Sequence, residues 1–191
     1  MPKITAPTVA EHRVAQRRAL IDAAEAIVCE LGVTAVTPRS VGARAGLARS
    51  SFYEYFPSRD DLLAAIALQA FDEWGAELRA AVAAASPGRA RLHAYVEATM
   101  RMTADGKHSL ALKMQRADLS PKNFDAIMAM HDTLTAPLTD VLGSLGLSPD
   151  PTHATLVQGL LHAGVQLVEH GVDAETATSS INSVLDAGLH A

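Results

Sequence analysis

Side chains that can hydrogen bond to nucleic-acid bases are concentrated in one short segment of the sequence. Arg49, Ser50, Ser51 and Tyr53 stand close together at the start of a short predicted helix. Hydroxyl groups, an arginine and a tyrosine donate to base edges and phosphates without much bulk, which suits the major groove of double-stranded DNA. These residue types therefore predict a surface that reads DNA.

Further donors flank this segment at positions suited to the phosphate backbone. Thr37 stands at a predicted helix N-terminus, where free amides and the helix dipole favour an anion. Arg39 follows in the first turn of that helix, and Tyr55 and Arg59 come just after the reading segment. The predicted DNA-binding residues are therefore Thr37, Arg39, Arg49, Ser50, Ser51, Tyr53, Tyr55 and Arg59.

Two short helices joined by a tight turn must position these side chains. Thr37-Pro38 is typical of an N-cap followed by proline at the first helical position. Gly46 permits the positive backbone angle that a turn needs, and Pro57 ends the second helix. The pattern predicts a helix-turn-helix from Thr37 to Phe56, with three apolar side chains packing inward: Val41, Leu47 and Phe52.

The rest of the chain is predicted to be helical as well. The 191 residues are 49% hydrophobic but only 4% aromatic, and an alanine- and leucine-rich composition favours helix over strand. We therefore expect an all-α protein with a three-helix DNA-binding domain over residues 1–59 and a larger helical domain for effector binding and dimerisation over 60–191. Capping signals and apolar periodicity predict nine helices, near 11–31, 38–45, 49–56, 59–85, 86–104, 107–117, 120–145, 150–170 and 173–189.

Charge is divided unevenly between the two predicted domains. The whole chain has a net charge of −5. Residues 1–59 contain eight basic and five acidic side chains, whereas the remainder contains eight basic and sixteen acidic ones. With a basic first domain and an acidic second domain, the protein would approach a polyanion through its first domain only.

Residues 17–63 resemble the DNA-binding head of the TetR family of bacterial transcriptional regulators. The similarity rests on Gly32-Val33, Thr37, Val41 with Ala45-Gly46-Leu47, the aromatic run Phe52-Tyr53-x-Tyr55-Phe56, and Ser58 to Leu63. It implies a homodimer with two recognition helices and an effector pocket in the larger domain. Ala48 and Glu54 depart from the usual pattern, since a hydroxyl residue often precedes the recognition helix and a neutral or basic group often replaces Glu54.

The larger domain contains apolar side chains that suit a ligand cavity. Methionine fills irregular spaces and tolerates ligands of varied shape, and a polar group such as histidine would orient the ligand. The predicted effector pocket comprises Phe71, Trp74, Met100, Met114, Met128 and His131, and the ligand would be an apolar small molecule. The alternative is that these residues form an ordinary core.

Small and apolar residues in the last two predicted helices suggest a dimer interface. Glycine and alanine let a second helix approach closely, so the pair could form a four-helix interface with a second copy. The predicted interface comprises Leu156, Gly159, Leu160, Ala163, Gly164, Leu167, Ile181, Val184 and Leu185. The alternative is that this face packs internally.

The sequence lacks the residues that metal binding or catalysis would need. Cys29 is the only cysteine, and we expect it to be a small core residue of the first helix. His153, His162 and His170 are too widely spaced for a helical metal pair, so neither a metal nor a cofactor is expected. No catalytic motif, secretory signal or membrane-spanning stretch occurs, which predicts a non-enzymatic, soluble, cytoplasmic protein.

The sequence therefore predicts a transcriptional repressor that a small-molecule effector releases from a palindromic operator. The first alternative is an activator or architectural DNA-binding regulator without such an effector. A helical enzyme or carrier that has lost DNA binding is the second alternative, although no set of catalytic residues favours it.

Overall fold

The computed structural model describes residues 9–106, 120–147 and 151–188, and these contain helices and no strand. The all-α fold class is confirmed. The predicted helix over 107–117 lies outside the described residues. The α-helices are α1 (Val9–Leu31), α2 (Pro38–Ala45), α3 (Arg49–Tyr55), α4 (Arg59–Ala84), α5 (Arg89–Ala104), α6 (Pro121–Ser144), α7 (Pro151–Glu169) and α8 (Ala174–Gly188), with a 3-10 helix at Val33–Ala35.

Side-chain caps explain why several helices begin where the sequence predicts. The Thr37 hydroxyl accepts a hydrogen bond from the Ser40 amide at 3.0 Å, and Asp173 accepts one from the Thr176 amide at 2.8 Å. The start of α5 was predicted at residue 86, yet the helix begins at Arg89. The reason is Gly88, whose φ of 90° holds the chain outside the helical conformation until the next residue.

The described residues divide into two compact units. The first contains 9–68 and 120–126, and the second contains 69–106, 127–147 and 151–188. Residues 120–126 thus belong to the first unit although residues 69–106 of the second unit precede them in the chain. The predicted functional boundary between residues 59 and 60 stays a prediction.

The first unit is built around the apolar face of α1. Leu20, Ala24 and Val28 are fully buried at helical spacing. The prediction that Cys29 is a core residue is wrong, because Cys29 is exposed, and Leu31 is also 67% exposed. Both residues belong to the last turn, next to Gly32, where the apolar face has already ended. The core continues with Val36, Val41, Phe52, Phe56, Leu62, Leu63 and Ile66.

The second unit has a separate core, in which α5 packs against α7 and α8. Gly164 is buried on α7, and a β-carbon placed there would overlap Cδ1 of Ile181 and lie 2.9 Å from the sulfur of Met100. Glycine is therefore required for the close approach of these three helices. Within the described ranges, no helix is long and apolar enough to cross a bilayer.

Candidate DNA-binding interface

The helix-turn-helix closes through backbone contacts between α2 and the turn that follows it. Gly46 has a φ of 71°, as the predicted turn requires. The Leu47 amide donates to the Gly42 carbonyl at 2.8 Å, and a β-carbon on Gly42 would lie 3.0 Å from the Leu47 oxygen. Val41 and Phe52 are fully buried as predicted, whereas Leu47 is half-buried. The turn therefore fixes α3 against α2 through main-chain geometry as well as side-chain packing.

The outer face of α3 presents the polar residues that the sequence singles out. Ser50 and Glu54 are exposed, and Ser51 is half-buried. Tyr53 is 50% exposed, and its ring meets the edge of the Phe52 ring at a centroid distance of 5.3 Å. This packing orients the Tyr53 ring while leaving its surface accessible. Arg49 begins the helix, but its side chain is outside what the structure describes.

The start of α3 lacks a side-chain cap because its N-cap residue is Ala48. The Ser51 amide instead donates to the Ala48 carbonyl at 3.0 Å. A methyl group cannot accept a hydrogen bond, so the amides at this helix start have no intramolecular side-chain acceptor at the N-cap. A phosphate oxygen is the kind of acceptor that such amides favour.

The start of α2 offers one exposed threonine and one exposed arginine. Thr37 and Ser40 form a reciprocal capping box, since the Ser40 hydroxyl also accepts from the Thr37 amide at 2.9 Å. Arg39 is exposed and, among the described residues, has no hydrogen-bond or ion-pair partner. Arg44 is engaged instead by Glu30, at nitrogen–oxygen distances of 2.5 and 2.6 Å. This hydrogen-bonded arginine lowers the pKa of the Glu30 carboxyl, and the pair leaves Arg39 as the available cation of α2.

Side chains of α1 hold the end of the recognition helix in place. The Tyr55 hydroxyl donates to the side-chain oxygen of Gln16. The Arg13 guanidinium lies 5.7 Å from the centroid of the Tyr55 ring and donates to the Glu54 carbonyl at 3.4 Å. Tyr55 is thus a half-buried residue that positions α3, and its predicted phosphate contact stays a prediction. Gln16 was not singled out from the sequence, because nothing local links residues 39 positions apart.

Arg59 makes two hydrogen bonds that its position in the sequence does not predict. Its guanidinium donates to the Val36 carbonyl and to the Val33 carbonyl, at 2.7 Å in each case. These bonds tie the first turn of α4 to the 3-10 helix. Two of its donors are therefore committed within the first unit, and its predicted phosphate contact remains untested.

The residues predicted to form an effector pocket are not shown to share one cavity. Phe71 is buried and stacks on Trp74, with ring centroids 6.4 Å apart and an interplanar angle of 6°. Met100 is a fully buried core residue. Met114 is outside the described residues, and Met128 and His131 lie on α6 with side chains that the structure does not describe. For this prediction the structure therefore shows a stacked aromatic pair, Phe71 and Trp74, and one core methionine, Met100.

The predicted dimer interface separates into buried and exposed residues. Gly164, Ile181 and Leu185 are buried in the core of the second unit, which agrees with the alternative that this face packs internally, and their place in a dimer interface stays a prediction. They face α5, which the periodicity of two helices alone could not reveal. The remaining residues are half-buried or exposed: Leu156 (62%), Gly159, Leu160, Ala163, Leu167 (47%) and Val184 (52%).

Sequence comparison identifies the class of protein that the helix-turn-helix belongs to. Residues 20–66 match the family model of the bacterial regulatory proteins of the tetR family. No curated protein sequence matches the chain. The matched residues include all of α2 and α3 and the contacts that close the turn between them.

Solved structures extend the similarity over nearly the whole chain. PfmR of Thermus thermophilus, a TetR family transcriptional regulator, has a TM-score of 0.69 at 20% identity, covering 90% of this chain and 99% of its own. FadR of Bacillus subtilis, in complex with stearoyl-CoA, has a TM-score of 0.67 at 19% identity, covering 91% and 99%. AibR, in complex with isovaleryl coenzyme A and operator DNA, has a TM-score of 0.70 at 16% identity, covering 88% and 97%. The predicted resemblance is confirmed: residues 20–66 match the family model of the tetR regulatory proteins, and the chain has the fold of solved TetR family regulators.

Proposed function

We propose that the protein is a cytoplasmic transcriptional repressor that binds a palindromic operator as a homodimer and is released by a small-molecule effector. The single observation that supports DNA binding best is the exposure of Ser50 and Tyr53 on the outer face of α3. The opposite side of this helix is fixed by contacts with α1 and by the turn after α2. A rigidly held helix with exposed small donors satisfies the geometric needs of major-groove reading.

The exposed stripe on α7 supports a homodimer. Leu156, Gly159, Ala163 and Leu167 recur at spacings of three and four residues, so they share one helix face, and all four are exposed. Val184 adds an exposed apolar residue on α8. Two copies meeting through these faces would form a helical bundle in which Gly159 and Ala163 allow close approach.

An effector fits the proposal because two of the similar structures contain acyl-CoA ligands. A ligand that binds better to the DNA-free state than to the DNA-bound state lowers operator affinity by linkage. An activator or architectural regulator without an effector is the second candidate. It would be favoured if a panel of metabolites, acyl thioesters included, neither shifted the melting temperature nor changed DNA affinity.

Selection of bound duplexes from a random pool tests the proposal directly. We expect a palindrome whose half-sites lie about 10 base pairs, or a multiple of this, apart. Binding to the selected duplex is then measured for Tyr53→Phe and Ser50→Ala. Each change removes one hydroxyl, and a lost base contact of about 1–3 kcal/mol would weaken binding roughly 5- to 150-fold. Arg101→Gln, an exposed arginine of the second unit, is the matched control and should leave affinity unchanged.

Two results would contradict the proposal. If no duplex is retained at low salt, the DNA-binding assignment is wrong, because phosphate contacts alone give measurable binding under those conditions. If the selected sites are single, non-palindromic half-sites and the protein is monomeric at the concentrations used, the homodimer is wrong. Leu156→Asp tests the interface separately, since a charge on the exposed stripe should dissociate the dimer without unfolding the monomer.

A further inference from the structure

A second site is visible on the second unit, away from the residues predicted to bind an effector. It is an open groove of about 470 Å³ between the end of α4, the start of α5 and the second half of α6. Ligand pockets in proteins commonly have about 300–1,000 Å³. The groove includes none of the six predicted pocket residues. Its lining is formed by Arg79, Val82, Ala83, Arg91, Ala136, Pro137, Asp140, Val141 and Ser144.

The charge of this groove is opposite to that of its surroundings. Residues 60–191 contain twice as many acidic as basic side chains, yet the groove has Arg79 and Arg91 against a single carboxylate, Asp140. Among the described residues, neither arginine forms an ion pair or a side-chain hydrogen bond, although acidic side chains are plentiful in the unit. Among the described residues that line it, the groove therefore has two basic side chains and one acidic one, and neither arginine is paired.

The side chain of Arg91 gives the strongest indication that the groove binds a ligand. Its Nε is buried and has no hydrogen-bond partner within the described part of the chain. Leaving a buried donor of a charged group unsatisfied is costly. An anion in the groove would pair with the guanidinium, because charge-assisted hydrogen bonds to carboxylate or phosphate are the strong ones.

The remaining lining is apolar apart from Ser144 and restricts the ligand further. Val82, Pro137 and Val141 offer a hydrophobic wall beside the two guanidinium groups. We infer that this groove binds an amphipathic anion, with a carboxylate or phosphate head between Arg79 and Arg91 and an aliphatic tail along the apolar wall. The inference rests on the proposed function only because it names a class of ligand for the proposed regulator. Binding of the anion itself does not require DNA.

Calorimetric titration of the full chain with three octyl compounds tests the charge preference. Octanoate and octyl phosphate present the two anionic heads, and octanol presents the same tail without charge. We expect at least one anion to bind at least about tenfold more tightly than octanol, which corresponds to about 1.4 kcal/mol. The better of the two anions identifies the head group as carboxylate or phosphate.

Three variants and one control test the site. Arg79→Gln and Arg91→Gln should each weaken binding of the anion about tenfold or more while leaving octanol binding unchanged. Asp140→Asn removes the carboxylate that repels the ligand and should strengthen anion binding severalfold, a gain that misfolding cannot produce. Arg101→Gln removes an exposed arginine of α5 that does not line the groove and should change neither affinity.

The inference is overturned if neither anion binds at millimolar concentration, if octanol binds as tightly as the anions, or if both arginine variants retain full anion affinity. These results leave the repressor proposal intact, because the titration contains no DNA. Conversely, failure to retain any duplex would refute the repressor proposal without changing the expected anion binding.

Discussion

Gly164→Ala should destabilise the second unit although alanine is the better helix former. The new β-carbon would overlap Cδ1 of Ile181 and would lie 2.9 Å from the sulfur of Met100 and 3.3 Å from its Cε. Both neighbouring side chains are buried, at 5% and 0% exposure, so they have little room to move. Overpacking costs about 1–3 kcal/mol, whereas alanine gains about 1 kcal/mol over glycine in a helix. The expected net loss is therefore up to about 2 kcal/mol.

Gly159→Ala is the matched control, because Gly159 lies on the same helix and a β-carbon there meets nothing within 4 Å. In the monomer it should gain up to about 1 kcal/mol. Because Gly159 lies on the stripe proposed as the dimer interface, the two variants are compared at concentrations at which the protein is monomeric. Urea unfolding followed by circular dichroism measures both variants, at several protein concentrations because dimerisation would add to apparent stability. A Gly164→Ala variant as stable as Gly159→Ala would refute the packing argument.

A double variant tests the named contact itself. Ile181→Val removes Cδ1, the atom nearest to the added β-carbon. Alone it should cost about 0.5–1.5 kcal/mol, but in the Gly164→Ala background it should cost less or be stabilising. A coupling of zero would show that Ile181 is not the residue that resists the alanine.

Three further predictions follow from individual contacts. Thr37→Val removes the hydroxyl that accepts from the Ser40 amide and should cost about 1 kcal/mol of unfolding free energy, measured by thermal melting; an unchanged melting temperature would contradict the capping role. Arg59→Gln should lower stability by about 1–2 kcal/mol, because a neutral amide cannot reproduce the two directed bonds of the guanidinium to carbonyl groups, yet it should leave the salt dependence of DNA binding unchanged. A changed slope with unchanged stability would instead favour a phosphate contact. Burial raises the pKa of Tyr95 to about 12; since the folded pKa lies above the unfolded value of about 10, the resulting stability is present below about pH 10 and lost as the pH rises toward 12. Tyr95→Phe should remove this alkaline loss, and equal alkaline unfolding of both proteins would contradict it.

The helix-turn-helix could be predicted from the sequence because its features depend on neighbouring residues. The Thr37 cap, the positive φ of Gly46 and the burial of Phe52 each depend on residues within a few positions. Hydrogen-bond partners that are distant in the chain were not predictable. The Tyr55 contact with Gln16 and the Arg59 contacts with Val33 and Val36 span 23 to 39 positions, and both give structural roles to residues selected for their polar side chains.

Periodicity in the second unit identified apolar helix faces but not their neighbours. The sequence grouped Gly164 with Gly159 because both are small residues of one helix, yet one is buried against α5 and α8 and the other is exposed. Apolar residues on two faces of a helix do not show which face packs within the unit, so single-sequence patterns cannot assign the neighbours of each face. The groove around Arg91 was missed for the same reason, since it unites residues of three helices.

The first unit is discontinuous in sequence, and Asp60 shows what this means for its independence. One carboxylate oxygen of Asp60 accepts from the Ser120 amide at 3.2 Å, and the other accepts from the Ser120 hydroxyl at 2.6 Å and from the Asn123 side chain at 2.5 Å. A fragment cut after residue 68 would leave this carboxylate without these three donors. The first unit therefore cannot be excised or grafted as one stretch of chain, and chimeric proteins that exchange it should also exchange residues 120–123.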